Sequence, residues 1–189
     1  VGGTTDAEAA ASATVIVNRV KSLLGSATSQ LGIVVDLDLR PEGKNGPMSR
    51  TIRSHREYAQ RWASTWERQA AVRARPIGEG ELADQARELF AELAYGGVSE
   101  SDVRDIRLLK ARMENERLPR GIEPARHVKL GPGGLTDVEW TIQLIQMRAG
   151  MRNPALRTPS TTQAILAARD HDLMSAQDTQ ILLEAWDMA

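Results

Sequence analysis

Between Gly32 and Pro41 the chain reads G-I-V-V-D-L-D-L-R-P, a β-rich run that ends at a proline. Branched aliphatic residues favour strands and proline ends them, so this run predicts one β-strand over residues 32–40. Because successive side chains of a strand point to opposite faces, one face of it is purely apolar and suits a core. The residues on that face are Ile33, Val35, Leu37 and Leu39.

The opposite face of the predicted strand carries two carboxylates beside a guanidinium. Asp36 and Asp38 would lie about 7 Å apart along the strand, and Arg40 follows them on the same face. Carboxylate oxygens are ligands that Mg²⁺ prefers, so Asp36 and Asp38 are candidate metal ligands. A half-exposed strand whose polar residues lie in water has the same pattern, and the motif alone leaves both interpretations open.

The composition is ordinary for a globular protein and narrows the function classes. Hydrophobic residues make up 41% and charged residues 26% of the 189 residues. The net charge of −1 gives no basic field for nucleic acid, which is not expected as a partner. No apolar run approaches the ~20 residues that span a bilayer, so no membrane partner is expected. The absence of cysteine excludes disulfides and thiolate sites and fits a reducing compartment such as the cytoplasm.

The first half of the chain otherwise predicts helices with recognisable ends. A capping box at Thr5 and Glu8 opens a helix that should end at Gly25. A second box at Ser54 and Glu57 opens a helix that should continue to Arg75, before Pro76. One face of that helix would carry three aromatic rings four residues apart, those of Tyr58, Trp62 and Trp66.

The second half predicts a bundle of amphipathic helices. One should end at Gly96, and others should begin at Ser99, Ser160 and Ser175. A further helix, expected to be capped by Thr136 and Glu139, carries apolar residues on all sides and should form the buried centre of the bundle. A single strand among so many helices lacks pairing partners, and we expect those partners to lie upstream of Val1.

A glycine-rich stretch from Lys129 to Glu139, K-L-G-P-G-G-L-T-D-V-E, is the second chemically suggestive segment. Glycines before a helix let backbone N–H groups approach an anion, and Lys129 adds a positive charge. Asp137 and Glu139, in the first helical turn, are also explained as acids that complement the helix dipole.

Arg73 is either an anion contact or a side chain that extends from the edge of the core into water.

Three longer segments occur in a fixed order: V-D-L-D-L-R-P-E-G-K-N-G-P at 35–47, T-W-E-R-Q-A-A-V-R-A-R-P at 65–76 and K-L-G-P-G-G-L-T-D-V-E-W at 129–140. Together they closely resemble the bacterial glutamine synthetase adenylyltransferase family, also called glutamate–ammonia-ligase adenylyltransferase. The pattern T-W-E-x-Q-A-x-V-R-A-R, and Thr136-Asp137 after the double glycine, are most similar to the C-terminal, adenylylating half of that family.

The resemblance implies a mainly α chain with two parts. Residues 1–50 would be the C-terminal part of a nucleotidyltransferase domain, truncated upstream. They would be the remnant of an α/β domain of the DNA polymerase β type. Residues 51–189 would form the helical bundle domain that follows it.

The resemblance also implies a function in regulating nitrogen metabolism. The family transfers AMP from ATP to a tyrosine of glutamine synthetase in one half and removes it by phosphorolysis in the other. It implies Mg²⁺ and ATP as cofactors, with glutamine synthetase and a nitrogen-signalling regulatory protein as partners, in the cytoplasm. Two Mg²⁺ ions held by three carboxylates would serve the transfer. This stretch alone, which offers one of those carboxylates, is expected to be inactive.

Individual residues take their expected roles from the same resemblance. Asp36 matches the third metal-binding, catalytic carboxylate of the pattern V-D-x-x-L-R-P, and Asp38 falls on a variable position as an auxiliary ligand at best. The remaining candidates would contact the nucleotide phosphates or a domain interface: Arg40, Arg73, Lys129, Gly133 and Gly134.

Two alternative functions remain open at this point. A related uridylyltransferase of the nitrogen-signalling system shares the fold and a K-x-G-x-G-G motif, but should lack the W-E-x-Q-A-x-x-R-A-R helix. A non-catalytic helical module that binds a partner protein is the other alternative. A Gly-Ser followed by D-x-D upstream would favour the enzyme.

Overall fold

The computed structural model of the protein describes residues 5–25, 33–119 and 121–188. Within those residues it contains eight α-helices, joined by loops and short 3₁₀ turns, and no β-strand. The prediction of a mainly helical chain is therefore confirmed. The chain divides into two compact units, Val1–Ala63 and Ser64–Ala189. Among the described helices, none is long and apolar enough to cross a membrane. The domain boundary predicted after Arg50 stays a prediction.

The first unit contains helices α1 (Asp6–Leu24) and α2 (Ile52–Arg61). The predicted capping box of α1 is confirmed, because the Thr5 side chain and the Glu8 carboxylate bond each other's backbone N–H groups, and Gly25 ends the helix. Polar contacts join α1 to the segment before α2, where the Ser49 hydroxyl donates to the Ala10 carbonyl at 2.8 Å. The apolar stripe of α1 is exposed, at Val15, Val20, Leu23 and Leu24.

The predicted strand is wrong for the residues that the structure describes. Residues 33–37 have no regular secondary structure, residues 38–39 form a turn, and Gly32 lies outside the described residues. The side chains expected in a core do not form one: Ile33 is 58% and Leu39 70% exposed. A strand needs a neighbour for its N–H and C=O groups, and no described segment pairs with this one.

The continuous helix predicted from Ser54 to Arg75 is also wrong. Thr51, not Ser54, caps α2, since its side chain accepts the Ser54 N–H at 3.2 Å. The helix ends at Arg61, and helix α3 (Thr65–Ala71) begins after a new capping box of Ser64 and Glu67. The aromatic rings of Tyr58, Trp62 and Trp66 therefore do not share one helix face.

Five more helices build the second unit together with α3. They are α4 (Glu81–Tyr95), α5 (Glu100–Glu116), α6 (Leu135–Ala149), α7 (Thr161–Asp170) and α8 (Ala176–Asp187). The predictions that Ser99, Ser160 and Ser175 are N-caps and that Gly96 ends a helix are confirmed. The cap predicted at Thr136 is wrong: Gly134 is the N-cap of α6, and Thr136 is buried inside the first turn.

Helix α6 is the centre of the second unit, as its all-round apolar pattern predicts. It contacts α3, α4, α7 and α8. Met147 belongs to one buried cluster with residues of α4 and α5, while Val138 and Ile142 belong to a second cluster with residues of α7. Because α6 packs against both clusters, the position of the loop before α6 depends on the packing of the bundle.

Candidate functional site

Asp36 and Asp38 lie in a compact turn that spans residues 36–46. The Asp36 carboxylate accepts the Asp38 backbone N–H at 2.8 Å, a local bond by which an aspartate starts a turn. Asp38 forms ion pairs with Lys44 at 3.3 Å and with Arg40 at 4.0 Å. Both carboxylates are exposed to solvent. A turn and not a strand therefore holds the two acids, and their role as metal ligands stays a prediction.

Arg40 holds the turn together from inside. Its guanidinium donates hydrogen bonds to three backbone carbonyls, those of Leu37 at 2.7 Å, Lys44 at 3.0 Å and Gly46 at 3.1 Å. Its side chain is only 18% exposed. A β-carbon at Gly46 would overlap the Pro41 carbonyl oxygen, so the turn closes too tightly there for a side chain. The predicted contact of Arg40 with phosphate stays a prediction.

The far side of this turn contains Glu42, a residue that no sequence pattern singles out. Glu42 has a left-handed backbone, with φ of 64°, which is uncommon outside glycine. Its carboxylate pairs with Arg50 at 2.7 Å, and its N–H donates to the Tyr58 hydroxyl at 3.4 Å. The Arg50 guanidinium also lies 5.4 Å from the centre of the Tyr58 ring. These contacts hold Glu42 in its conformation and fasten the turn to α2.

In the second unit, Arg73 lies against the beginning of α6 and α7. It donates a 2.7 Å hydrogen bond to the Thr161 hydroxyl and approaches the Glu139 carboxylate at 3.6 Å. Its side chain stays 42% exposed. Glu139 thus pairs with a residue of the segment after α3, and its predicted place in the first turn of α6 is wrong, because the acid of that turn is Asp137. An anion contact by Arg73 is not tested by these bonds and stays a prediction.

The glycine-rich loop before α6 folds back on itself. The first N–H groups of α6 donate to carbonyls of this loop: Leu135 to Val128 at 2.9 Å and Thr136 to Lys129 at 3.0 Å. Gly133 has a φ of 76° and donates its N–H to the Asp137 carboxylate at 2.6 Å. The side chain of Lys129 is exposed. An anion at this helix N-terminus would replace bonds that the chain makes to itself.

A half-buried cation joins the same loop to α5. Lys110, whose side chain is 24% exposed, pairs with the carboxylates of Asp137 and Glu114. Burial disfavours its charge, but the hydrogen bonds and charges of these two carboxylates raise the pKa of Lys110 above its ordinary value. Asp137 therefore joins Lys110 of α5 to the Gly133 N–H. The sequence shows only that Asp137 lies in the first turn of α6.

The T-W-E-R-Q segment forms α3, and its polar residues bond neighbouring helices. The Thr65 hydroxyl donates to Asp102 at 3.0 Å and Arg68 pairs with Asp102 at 3.1 Å, at the capped N-terminus of α5. Burial opposes ionisation of Asp102, but bonds from Ser99 and Thr65 and the charge of Arg68 lower its pKa to about 2. Gln69 bonds Gln143 of α6 in the core.

Metal-binding capacity in the described residues is limited to pairs of acids. Among them, no group of three or more histidine, cysteine, aspartate or glutamate side chains is arranged to hold a metal ion. Asp36 and Asp38 offer exposed oxygen ligands in one turn. Lys129, Gly133 and Gly134 belong to the loop before α6, and Arg73 contacts Glu139 of α6 and Thr161 of α7.

Two family models match this chain, and together they cover most of its length. Residues 1–90 match the family model described as glutamate-ammonia ligase adenylyltransferase, and residues 107–189 match the model of the GlnD PII-uridylyltransferase. The bifunctional glutamine synthetase adenylyltransferase/adenylyl-removing enzyme of Streptomyces coelicolor is 47% identical over 99% of this chain. The chain belongs to the glutamine synthetase adenylyltransferase family.

Other members of the family show similar agreement along this chain. The enzymes of the same description from Cutibacterium acnes and Mycobacterium tuberculosis strain H37Rv are 45% and 43% identical, over 90% and 97% of the chain. The chain spans a small part of these relatives: 18% of the C. acnes protein and 19% of the S. coelicolor and M. tuberculosis proteins. Family membership predicted from the three segments is confirmed.

Proposed function

We propose that this chain is part of an enzyme that transfers AMP from ATP to a tyrosine of glutamine synthetase and, in its other half, removes it by phosphorolysis. The single observation that carries this proposal is the 47% identity to a bifunctional enzyme of that description over 99% of the chain. In the transfer, the phenolic oxygen of tyrosine bonds to the α-phosphorus of ATP, pyrophosphate leaves, and the phenol loses its proton.

Within that enzyme, we assign the chain to the C-terminal, adenylylating half. The support is the sequence T-W-E-R-Q-A-A-V-R-A-R of residues 65–75 and Thr136-Asp137 after the double glycine. Residues 1–50 would complete a nucleotidyltransferase domain of the polymerase β type. The exposure of Ile33 and Leu39 fits a larger domain of this kind, because another part of the protein would cover these apolar side chains.

Asp36 is the residue that we propose as a metal ligand at the reacting centre. Its carboxylate is exposed and lies beside Asp38 in one turn, and such oxygen donors suit Mg²⁺. Two acids are too few for a pair of metal ions, so other acids of the protein would complete the site. When bound, Mg²⁺ supplies charge neutralisation at the phosphates. Asp38, which already pairs with Lys44, would be auxiliary.

The N-terminal end of α6 is the second place where we propose an anion contact. Lys129 is exposed there, and Arg73 is partly exposed with its other contacts on Thr161 and Glu139. Both cations can reach a phosphate or an acidic surface of the partner without breaking the core. For Gly133 and Gly134 we propose only a supporting role, since the loop N–H groups already bond within the chain.

Uridylyl transfer to a signalling protein is the second candidate function. It is favoured by the match of residues 107–189 to the PII-uridylyltransferase model. The adenylyltransferase model covers residues 1–90, which include Asp36 and α3. Because the acids and the T-W-E-R-Q helix lie in that part, AMP transfer is the better supported reaction.

The proposal is tested by modification of glutamine synthetase. The full-length protein is incubated with ATP, Mg²⁺ and the synthetase of the same organism, and mass spectrometry follows the tyrosine peptides. We expect one tyrosine to gain an adenylyl group, and a tyrosine-to-phenylalanine variant of the synthetase to gain none. The 189-residue chain alone should leave the synthetase unmodified. Modification of the PII protein with UTP in a parallel assay, with no modification of the synthetase by ATP, would overturn the proposal in favour of uridylyl transfer.

A further inference from the structure

Arg40 lies close to the proposed metal ligands, yet its hydrogen bonds run to the backbone. Its Nε, Nη1 and Nη2 atoms donate to the carbonyls of Gly46, Leu37 and Lys44, at 3.1, 2.7 and 3.0 Å. Leu37 lies between the two acids, and Lys44 and Gly46 lie at the other end of the turn. One side chain thus joins both ends of the turn that carries Asp36.

A planar guanidinium is required for this arrangement. Its N–H groups point in fixed directions, so the guanidinium holds the three carbonyls that accept from it in fixed relative positions. A lysine ammonium is a point charge on a flexible stem and cannot hold three separated carbonyls in the same plane. The arginine side chain is 18% exposed, so these bonds are shielded from most competing water.

A second cation, the Lys44 ammonium, also lies near the acids, and this ammonium takes no part in the hydrogen bonds of Arg40. Lys44 pairs with Asp38 at 3.3 Å through its side chain, which is 80% exposed, while its backbone carbonyl accepts from Arg40. Substitution of Lys44 removes a charge beside the acids and leaves the carbonyl in place. The chain therefore contains a natural control that separates charge from geometry.

We infer that Arg40 is a positioning residue that fixes the direction of the Asp36 carboxylate by tying Leu37 to Lys44 and Gly46. The inference rests on the proposed function, since it gives Asp36 a role as metal ligand. Arg40 would then act on the reaction through the backbone and not by touching ATP. A phosphate contact by Arg40 and a positioning role of Arg40 predict different effects of its substitution. Loss of a phosphate contact weakens binding of ATP. Loss of positioning misdirects the Asp36 carboxylate, which raises the Mg²⁺ requirement and lowers kcat.

The test compares Arg40→Lys, which keeps the charge, with Lys44→Gln, which removes one, both in the full-length protein. We expect Arg40→Lys to lower kcat at least ~10-fold, because small displacements of reacting groups cost about that much or more. Its KM for ATP should stay within about two-fold and its Mg²⁺ requirement should rise, as binding of ATP is not the affected step. Lys44→Gln should leave kcat and KM within about two-fold, as an exposed charge pair contributes little.

Amide hydrogen exchange supplies a readout that does not depend on catalysis. The N–H of Asp38 bonds Asp36, and the N–H of Gly43 bonds the Arg40 carbonyl at 2.8 Å. We expect faster exchange at these amides in Arg40→Lys but not in Lys44→Gln, with α1 and α2 unchanged.

Unchanged amide exchange in Arg40→Lys would overturn the inference. A raised KM for ATP with unchanged kcat would also overturn it, and would identify a phosphate contact instead. Full activity of Asp36→Asn would instead overturn the metal-ligand role in the proposed function. The exchange comparison distinguishes the two failures, because it measures the turn itself.

Discussion

The side-chain amide of Gln69 donates a 2.8 Å hydrogen bond to the side-chain oxygen of Gln143, and the two residues are 5% and 7% exposed. This bond joins α3 to α6, the central helix of the second unit. Two buried polar side chains are tolerated between these helices because each provides a hydrogen-bond partner for the other. The pair therefore fixes how α3 lies on α6, and with it the position of Arg73 at the end of α3.

Loss of one glutamine of this pair should cost more than loss of both. Gln143→Leu leaves the Gln69 amide buried without its partner, which we expect to lower the free energy of unfolding by about 1–3 kcal/mol. The double variant Gln69→Leu/Gln143→Leu should recover part of that loss. Urea denaturation of the four proteins of the cycle measures the coupling. Additive losses in the double variant would show that the two amides do not depend on each other.

Asp102 should make the stability of the second unit depend on acid pH. Its pKa is lowered to about 2 in the folded chain, against about 3.9 for an unfolded aspartate. The carboxylate therefore contributes about 2 kcal/mol above pH ~4, and that contribution disappears as the pH falls toward 2. Urea denaturation between pH 6 and 2 should show the difference between wild type and Asp102→Asn narrowing over that range.

A matched control for this prediction is Asp105→Asn. Asp105 also accepts from the Thr65 hydroxyl, at 3.2 Å, but it lacks the bonds from Ser99 and the pairing with Arg68. We expect its substitution to change stability by less than about 0.5 kcal/mol. A difference between wild type and Asp102→Asn that stays constant with pH would contradict the assigned role of the carboxylate.

Local signals in the sequence predict much of the helical structure. The boxes at Thr5 and Ser99 involve bonds across three residues, so sequence spacing is enough to predict them. The box predicted at Ser54 fails because Thr51, three residues earlier, caps the same helix. The S-T-W-E spacing at Ser64 was itself a signal for the break between α2 and α3 that the longer helix prediction overlooked.

Contacts between distant residues explain what the sequence does not predict. Gln69 and Gln143 lie 74 residues apart, and Arg73 and Thr161 lie 88 apart. Each of these side chains is equally compatible with an exposed helix face, so only the packing of the bundle pairs them. The run at 33–39 fails in the opposite way: its local pattern favours a strand, but a strand requires a partner that the described residues do not provide.

Gly133 and Gly134 should respond differently to substitution in the absence of any nucleotide. Gly133 has a φ of 76° and open space at its Cβ position, so alanine should cost about 1 kcal/mol of backbone strain. Gly134 has an ordinary φ of −74°, but a β-carbon there would overlap the carbonyl oxygens of Val128 and Gly131. We expect about 1–3 kcal/mol for that steric overlap.

Asparagine separates the two causes at this double glycine. It tolerates a left-handed backbone better than alanine does, so Gly133→Asn should be less destabilising than Gly133→Ala. Gly134→Asn should be no better than Gly134→Ala, since any β-carbon overlaps the loop carbonyls. Thermal unfolding of the four variants measures both comparisons. Equal recovery by asparagine at the two positions would refute the steric explanation for Gly134.

Asp36 and Asp38 should differ in importance for AMP transfer even though they share one turn. In the full-length protein, Asp36→Asn should lower the transfer rate at least ~10²-fold, because a lost metal ligand removes several kcal/mol of charge stabilisation. Asp38→Asn should cost much less, as Asp38 pairs with the exposed Lys44 and its carboxylate is about half exposed. Both substitutions preserve side-chain shape, so circular dichroism and thermal unfolding should match wild type. Rates of AMP transfer measured at saturating ATP and Mg²⁺ compare the two variants. Equal rates in the two variants, or a larger loss for Asp38→Asn, would show that Asp38 is the principal ligand or that neither acid binds the metal.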